Sequence, residues 1–319
     1  MKFKTAVLLT LLIWGVFMHS AAVKAVAAEK YSLNKYSVKW DYIDRTFYAF
    51  NEKAFVNKKP APVLFVLHGG GGTADKLPKV MKNGFEKLAL KDGFIVIYPQ
   101  GFNNYWNDGR KIEQKNFSGA DDVGFLNSLI SYSVKHFNAD PSRIYFTGLS
   151  NGGFMTTRMA FEKSDKIAAI APVISNISME LTTYPEPSRP ISVMIINGTA
   201  DPLLPYNGGD IKVLGKVRGK SIPTDKTAEF WVKHNGCNKN TVKSELPDTD
   251  KNDGMTVTVF KWENGNDKTE VVLYRVNGGG HTWPGGRQYM PVKLIGRVCN
   301  DFDACEAIWS FFKTKNLIK

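Results

Sequence analysis

The chain has 319 residues, 43% of them hydrophobic and 23% charged, which is long enough for a large core and excludes a disordered, collagen-like or coiled-coil protein. Lys and Arg number 42 against 30 Asp and Glu, a formal net charge of +12. The basic residues are scattered and run no further than pairs such as Lys58-Lys59, so a cationic surface is expected and a nucleic-acid-binding stripe is not.

Met1-Lys2-Phe3-Lys4 gives a positive start, Thr5 to Met18 is an unbroken apolar run, and a small-residue stretch ends in Ala25-Val26-Ala27-Ala28. That order predicts a cleaved secretory signal over residues 1–28, the apolar run being short for a membrane span. Residues 1–28 hold three lysines and no acid, so their removal leaves a net charge of about +9. The expected product is an exported chain of residues 29–319, extracellular or periplasmic, with no stable membrane insertion. Cys237, Cys299 and Cys305 are an odd number, for which one disulfide and one leftover thiol is the simplest expectation in an oxidising compartment. No CxxC or matching His spacing supports a zinc site, and no metal or cofactor is expected.

Two alternating segments, Tyr36–Trp40 and Arg45–Phe50, predict the first strands. Apolar runs at 62–67, 94–98, 144–146, 167–173, 191–196 and 271–276 predict strands buried on both faces. Helical patterns fall between them, at 75–91, 122–137, 153–162, 226–234 and 304–313. The alternation predicts a single α/β domain with a mostly parallel central sheet and helices on both faces. Residues 201–223 lack periodicity and are expected to form a long loop on the rim of a functional site.

The strand at 144–146 feeds Gly148-Leu149-Ser150-Asn151-Gly152, and a helical pattern begins at once. This is G-x-S-x-G in a strand–turn–helix context, which makes Ser150 the candidate nucleophile. A serine hydroxyl needs a base. Of the five histidines, His281 lies in the glycine-rich segment 278–286 after the strand at 271–276, where an imidazole can approach a serine from another part of the chain. Asp201 follows the buried strand at 191–196 and is placed to orient that ring, with Asp210 and Asp225 as lesser candidates further from a strand end. The run His68-Gly69-Gly70-Gly71-Gly72 after the strand at 62–67 is an HGGG-type loop, so the backbone N–H groups of Gly70 and Asn151 are candidate oxyanion donors. His68 is expected to shape that loop. Trp106 and Trp283 stand beside site segments and are candidates for stacking on substrate, with a core position as the alternative. Asp121-Asp122 is expected to form a structural ion pair, and Asp248–Gly254, which fails the EF-hand pattern, a turn before a strand at 255–262.

Leu67-His68-Gly69-Gly70, Trp106-Asn107-Asp108-Gly109-Arg110, Asp121-Asp122-Val123-Gly124-Phe125, Gly148–Gly153, Asn197–Pro202, His234–Cys237 and His281–Gly286 stand in a family order. In this the chain resembles the secreted α/β-hydrolase family of polyhydroxybutyrate depolymerase-like esterases and feruloyl or acetylxylan esterases. The resemblance covers Tyr36 to the C-terminus. It implies the α/β-hydrolase fold and hydrolysis of carboxylic esters by Ser150, Asp201 and His281, with an ester, polymeric or small, as partner. Two other readings use the same fold: a serine peptidase, and a binding protein that has lost catalysis.

Overall fold

The computed structural model describes residues 31–55, 58–112 and 119–318. The expected signal over residues 1–28 lies outside the described residues. Lys35–Lys319 forms one compact unit.

In chain order the first strands are β1 (Asn34–Trp40), β2 (Ile43–Phe50), β3 (Ala61–Leu67), β4 (Ile95–Pro99), β5 (Ala139–Leu149) and β6 (Ala169–Val173). They are followed by β7 (Ser192–Gly198), β8 (Gly209–Val213), β9 (Lys216–Ser221), β10 (Val242–Glu245), β11 (Thr256–Trp262) and β12 (Val271–Asn277). The main sheet runs β1-β2-β4-β3-β5-β6-β7-β12-β11-β10. Every pairing from β4 through β12 is parallel, while β2 on one side and β11 and β10 on the other run antiparallel to their inner neighbours. All residues of β3, β4, β6 and β7 are buried, the burial that a parallel sheet covered on both faces imposes on continuous apolar runs. Phe65 and Phe146 stack across β3 and β5 at 4.5 Å. This is the α/β-hydrolase fold.

The helices are α1 (Leu77–Val80), α2 (Gly84–Asp92), α3 (Asp122–Phe137), α4 (Asn151–Lys163), α5 (Thr224–Asn235), α6 (Val292–Ile295) and α7 (Ala304–Phe312). The helix expected over 75–91 is two, because Lys82 and Asn83 adopt left-handed backbone at φ 52° and 54°, which ends one helix before the next begins. The loop expected over 201–223 also differs: β8 and β9 form an antiparallel hairpin inside it. Its period is legible only over a few residues, with Ile211 buried between half-buried Asp210 and exposed Lys212. The 248–254 segment connects β10 to β11, with Asp301 accepting the backbone N–H groups of Thr249 and Asp250 at 2.8 and 3.0 Å.

The expected disulfide is absent: Cys237, Cys299 and Cys305 are free and buried. They pack in different surroundings. Cys237 lies in the main core below Gly265, Cys299 beside Asp301, and Cys305 on α7 against Gly84. Burial pushes the Cys299 thiol up to about 12.

The register places a functional edge. Leu67 of β3 pairs with Gly148 of β5, Leu149 with Val173 of β6, and Gly198 of β7 with Val276 of β12. Parallel strands therefore end together, and the segments that leave β3, β5, β7 and β12 emerge at one end of the sheet, where ligands bind in open α/β folds.

Candidate active site

Ser150 follows β5 and precedes the first turn of α4, with φ 56° and ψ −120°, a conformation that costs a non-glycine residue roughly 1–3 kcal/mol. The tight elbow is possible because Gly152 carries no side chain: a Cβ there would lie 2.3 Å from the Leu67 carbonyl oxygen and 2.6 Å from that of His68. The backbone N–H of Ser150 donates to the Val173 carbonyl at 3.0 Å, tying the elbow to β6.

His281 arrives from the segment after β12. Its Nδ1 lies 2.6 Å from Oδ2 of Asp201, and both side chains are buried. The other carboxylate oxygen of Asp201 accepts the backbone N–H groups of Leu203 and Leu204, each at 2.8 Å. Both oxygens are thus committed, and the ring orientation follows from the carboxylate. Tyr289 donates its hydroxyl to the His281 carbonyl at 2.7 Å, and the His281 N–H donates to that of Ile295. With Nδ1 held by Asp201, Nε2 is the nitrogen left for a partner in the cavity. Asp210 and Asp225 lie elsewhere, the first paired with Lys220 at 3.3 Å and the second accepting from Tyr206 at 2.7 Å.

Ser150, His281, Asn151 and the loop 68–73 line one cavity of about 380 Å³. A Cβ on Gly69 would lie 3.7 Å from Ser150 Cβ, and one on Gly70 3.7 Å from Asn151 Cβ, so the glycine loop runs directly past the elbow. Among the described residues no hydrogen bond occupies the Gly70 N–H, and the Asn151 N–H lies in the first turn of α4, where no intrahelical acceptor exists.

His68 shapes this loop. The Gly101 N–H donates to its Nε2 at 2.9 Å, so Nδ1 carries the proton and donates to the Gly69 carbonyl at 2.8 Å. Burial lowers its pKa to about 4, against the opposing pull of the Gly69 carbonyl, and the ring is neutral. A second clamp is built from Asn151, whose side chain accepts from Trp106 N–H at 2.8 Å and donates to the Trp106 carbonyl at 3.0 Å and to Asp108 at 2.6 Å. Asp122 accepts from Asn107 N–H at 2.7 Å and pairs with Arg45 at 2.6 Å. Desolvation raises the Asp122 pKa, and Arg45 opposes that shift. The Asp121-Asp122 motif is therefore half helix cap, Asp121 accepting from Gly124 N–H, and half ion pair.

Trp106 and Trp283 are corrected to core residues. Both are fully buried and neither lines the cavity. Trp106 donates its indole N–H to the His68 carbonyl at 3.0 Å, and Trp283 packs edge-on to Phe85. The sequence pattern missed the cavity wall itself: Tyr105, Ile211, Val213, Arg218, Tyr289 and Met290 come from three separate segments. A clue was the hairpin's brief alternation, which puts Ile211 and Val213 on one face.

Fold and site together define an α/β-hydrolase-fold protein with a serine at the sharp turn after β5 and, lining the same cavity, a histidine paired with an aspartate. No family model matches the chain. NocK of Nocardia uniformis subsp. tsuyamanensis, which carries an esterase name, is 29% identical over 231 residues, 70% of this chain and 66% of its own. Feruloyl esterase B of Piromyces equi is 31% identical over 242 residues, 73% of this chain and 42% of its own. The chain thus spans less than two thirds of either relative's length. An acetyl xylan esterase structure from Aspergillus awamori aligns over 79% of this chain and 94% of its own, at a TM-score of 0.49 and 15% identity. Both of these sequence relatives carry esterase names.

Proposed function

We propose that the protein is an exported serine esterase that hydrolyses carboxylic esters through an acyl-enzyme. The observation that carries this reading is that His281, paired with Asp201 at 2.6 Å, lines the same cavity as the strained Ser150 elbow. In the first half-reaction His281 Nε2 takes the Ser150 proton as Oγ attacks the ester carbonyl. The oxyanion forms against the N–H groups of Gly70 and Asn151, aided by the N-terminus of α4. Collapse expels the alcohol, which receives the proton from His281. Water, deprotonated by the same nitrogen, then attacks the acyl-enzyme; the acid leaves and Ser150 regains its proton. Asp201 keeps the Nδ1–H tautomer throughout and stabilises the imidazolium that forms.

The relatives support a feruloyl or acetyl ester of plant polysaccharide as substrate, and the motif order also supports a polyhydroxybutyrate-like polyester. The sequence of residues 1–28 supports export. The test is Ser150→Ala. The variant should fold and melt like wild type, lose fluorophosphonate labelling and lose turnover of p-nitrophenyl butyrate; wild-type turnover by it overturns the assignment. A panel of methyl ferulate, acetylated xylan and polyhydroxybutyrate ranks the substrates.

A further inference from the structure

The charge of the cavity wall has no role in the chemistry above. Three cationic side chains line it, Lys76, Arg110 and Arg218, and among the described lining residues none is acidic. Arg110 is neutralised locally. Its guanidinium bonds Asp108 through Nε at 3.0 Å and Nη2 at 2.5 Å, stacks over Phe154 at 4.2 Å, and donates from Nη1 to the Arg218 carbonyl at 2.8 Å. Arg218 and Lys76 have no ion pair among the described residues. Three acids of the surrounding segments are committed elsewhere: Asp108 to Arg110, Asp201 to His281, and Asp210, on the same hairpin as Arg218, to Lys220.

Arg218 is also held in place. The hairpin that carries it is fixed by Lys212 N–H to the Leu203 carbonyl at 3.0 Å and by Arg110 on the Arg218 carbonyl. Gly219 beside it has φ 94°, and a Cβ there would press on the Arg110 side chain at 3.1 Å, so the two arginine segments pack without room to spare. A half-buried arginine on a fixed strand, with no counter-charge among the described residues, in a cavity whose wall includes Leu77, Val80, Leu203, Ile211 and Val213, is built for an amphiphile with one anionic group.

Resting on the esterase reading, we infer that the cavity selects carboxylic esters that themselves bear a free carboxylate, with Arg218 as the specificity-determining residue and Lys76 assisting. The planar guanidinium donates two parallel hydrogen bonds to a carboxylate. The apolar wall takes the hydrocarbon between carboxylate and ester. The net charge of about +9 left after removal of residues 1–28 draws such substrates in from solution. The carboxylate can stand on the acyl side, as in a diacid half-ester, or on the alcohol side, as in an ester of a hydroxy acid or uronate.

Two matched pairs separate those sources: p-nitrophenyl hemiglutarate against p-nitrophenyl valerate for the acyl side, and 4-carboxyphenyl against 4-carbamoylphenyl butyrate for the alcohol side. In at least one pair the wild-type kcat/KM for the anionic member should exceed that of its neutral partner by about tenfold, the worth of one charge-assisted bond at a part-exposed site. Arg218→Gln should bring that ratio close to one, Arg218→Lys, which keeps the charge but loses the bidentate pair, should keep only part of it, and added salt should compress it in wild type. A ratio of one or less in both pairs, or a ratio unchanged in Arg218→Gln, overturns the inference while neutral-ester turnover leaves the esterase reading standing. If no ester is turned over, the esterase reading fails instead. NMR titration with glutarate then decides alone: binding weakened about tenfold in Arg218→Gln supports the site, and equal or absent binding overturns it.

Discussion

Replacing Asp201 by Asn tests the site through a single proton. One carboxylate oxygen of Asp201 accepts two backbone N–H groups, from Leu203 and Leu204 at 2.8 Å each, while the other lies 2.6 Å from His281 Nδ1. An asparagine amide has only one oxygen. Turning its NH2 toward Leu203 and Leu204 would leave two buried donors facing a donor, at about 1–3 kcal/mol each. The amide oxygen therefore stays on the loop and the NH2 faces His281. That inverts the ring: Nδ1 becomes the acceptor and Nε2 carries the hydrogen, so Nε2 cannot take the Ser150 proton. Recovering the working tautomer costs the two loop bonds, about 2–6 kcal/mol, which spans the ~10⁴-fold loss that the same substitution causes in the worked serine-protease case. Initial rates on p-nitrophenyl butyrate should show kcat and kcat/KM falling together by about 10³–10⁴, with melting close to wild type. Asp210→Asn and Asp225→Asn, whose partners are Lys220 and Tyr206, should stay near wild type. An Asp201→Asn enzyme within tenfold of wild type refutes the tautomer argument, and loss confined to Asp210→Asn moves the acid to the hairpin.

Gly152→Ala forces a Cβ to 2.3 Å from the Leu67 carbonyl oxygen and should cost about 3 kcal/mol, a fall in melting temperature of roughly 6–12 °C by calorimetry. Ser150→Gly should do the reverse, stabilising the fold by about 1 kcal/mol as it relieves the φ 56° strain, while turnover disappears; an unchanged urea midpoint would show that the elbow stores no strain. His68 is neutral in the fold with a pKa lowered to about 4, so the unfolded chain binds its proton first as pH falls. Its contribution is intact above about pH 6.5 and is lost between there and pH 4, a span worth about 3 kcal/mol. Urea midpoints across that range should therefore fall less steeply for His68→Gln than for wild type, and parallel curves would count against a buried neutral ring.

Much of this protein was written locally. Continuous apolar runs mark β3, β4, β6 and β7 because a strand covered on both faces must be apolar at every position. Gly148–Gly152, the glycine run after His68 and the strand-end position of Asp201 are legible for a related reason: a sharp turn, a bare backbone and a carboxylate at a sheet edge each demand particular residue types at fixed offsets. The break at Lys82 and Asn83 was missed, although Asn is after glycine the residue type that most readily adopts left-handed backbone; Lys82 carries no such signal. Nor was the fate of Trp106 and Trp283, whose neighbours in sequence belong to the site while their rings belong to the core. The cysteines could be counted but not placed, and only the packing sets Cys237, Cys299 and Cys305 in separate surroundings. The cavity wall was decided by tertiary structure alone. Arg218 reaches it because a hairpin inserted after β7 folds back over Leu203 and is gripped by Arg110, a contact between positions 108 residues apart. Sequence offsets carry backbone geometry and strand burial, whereas which charges meet across a cavity depends on how distant segments pack.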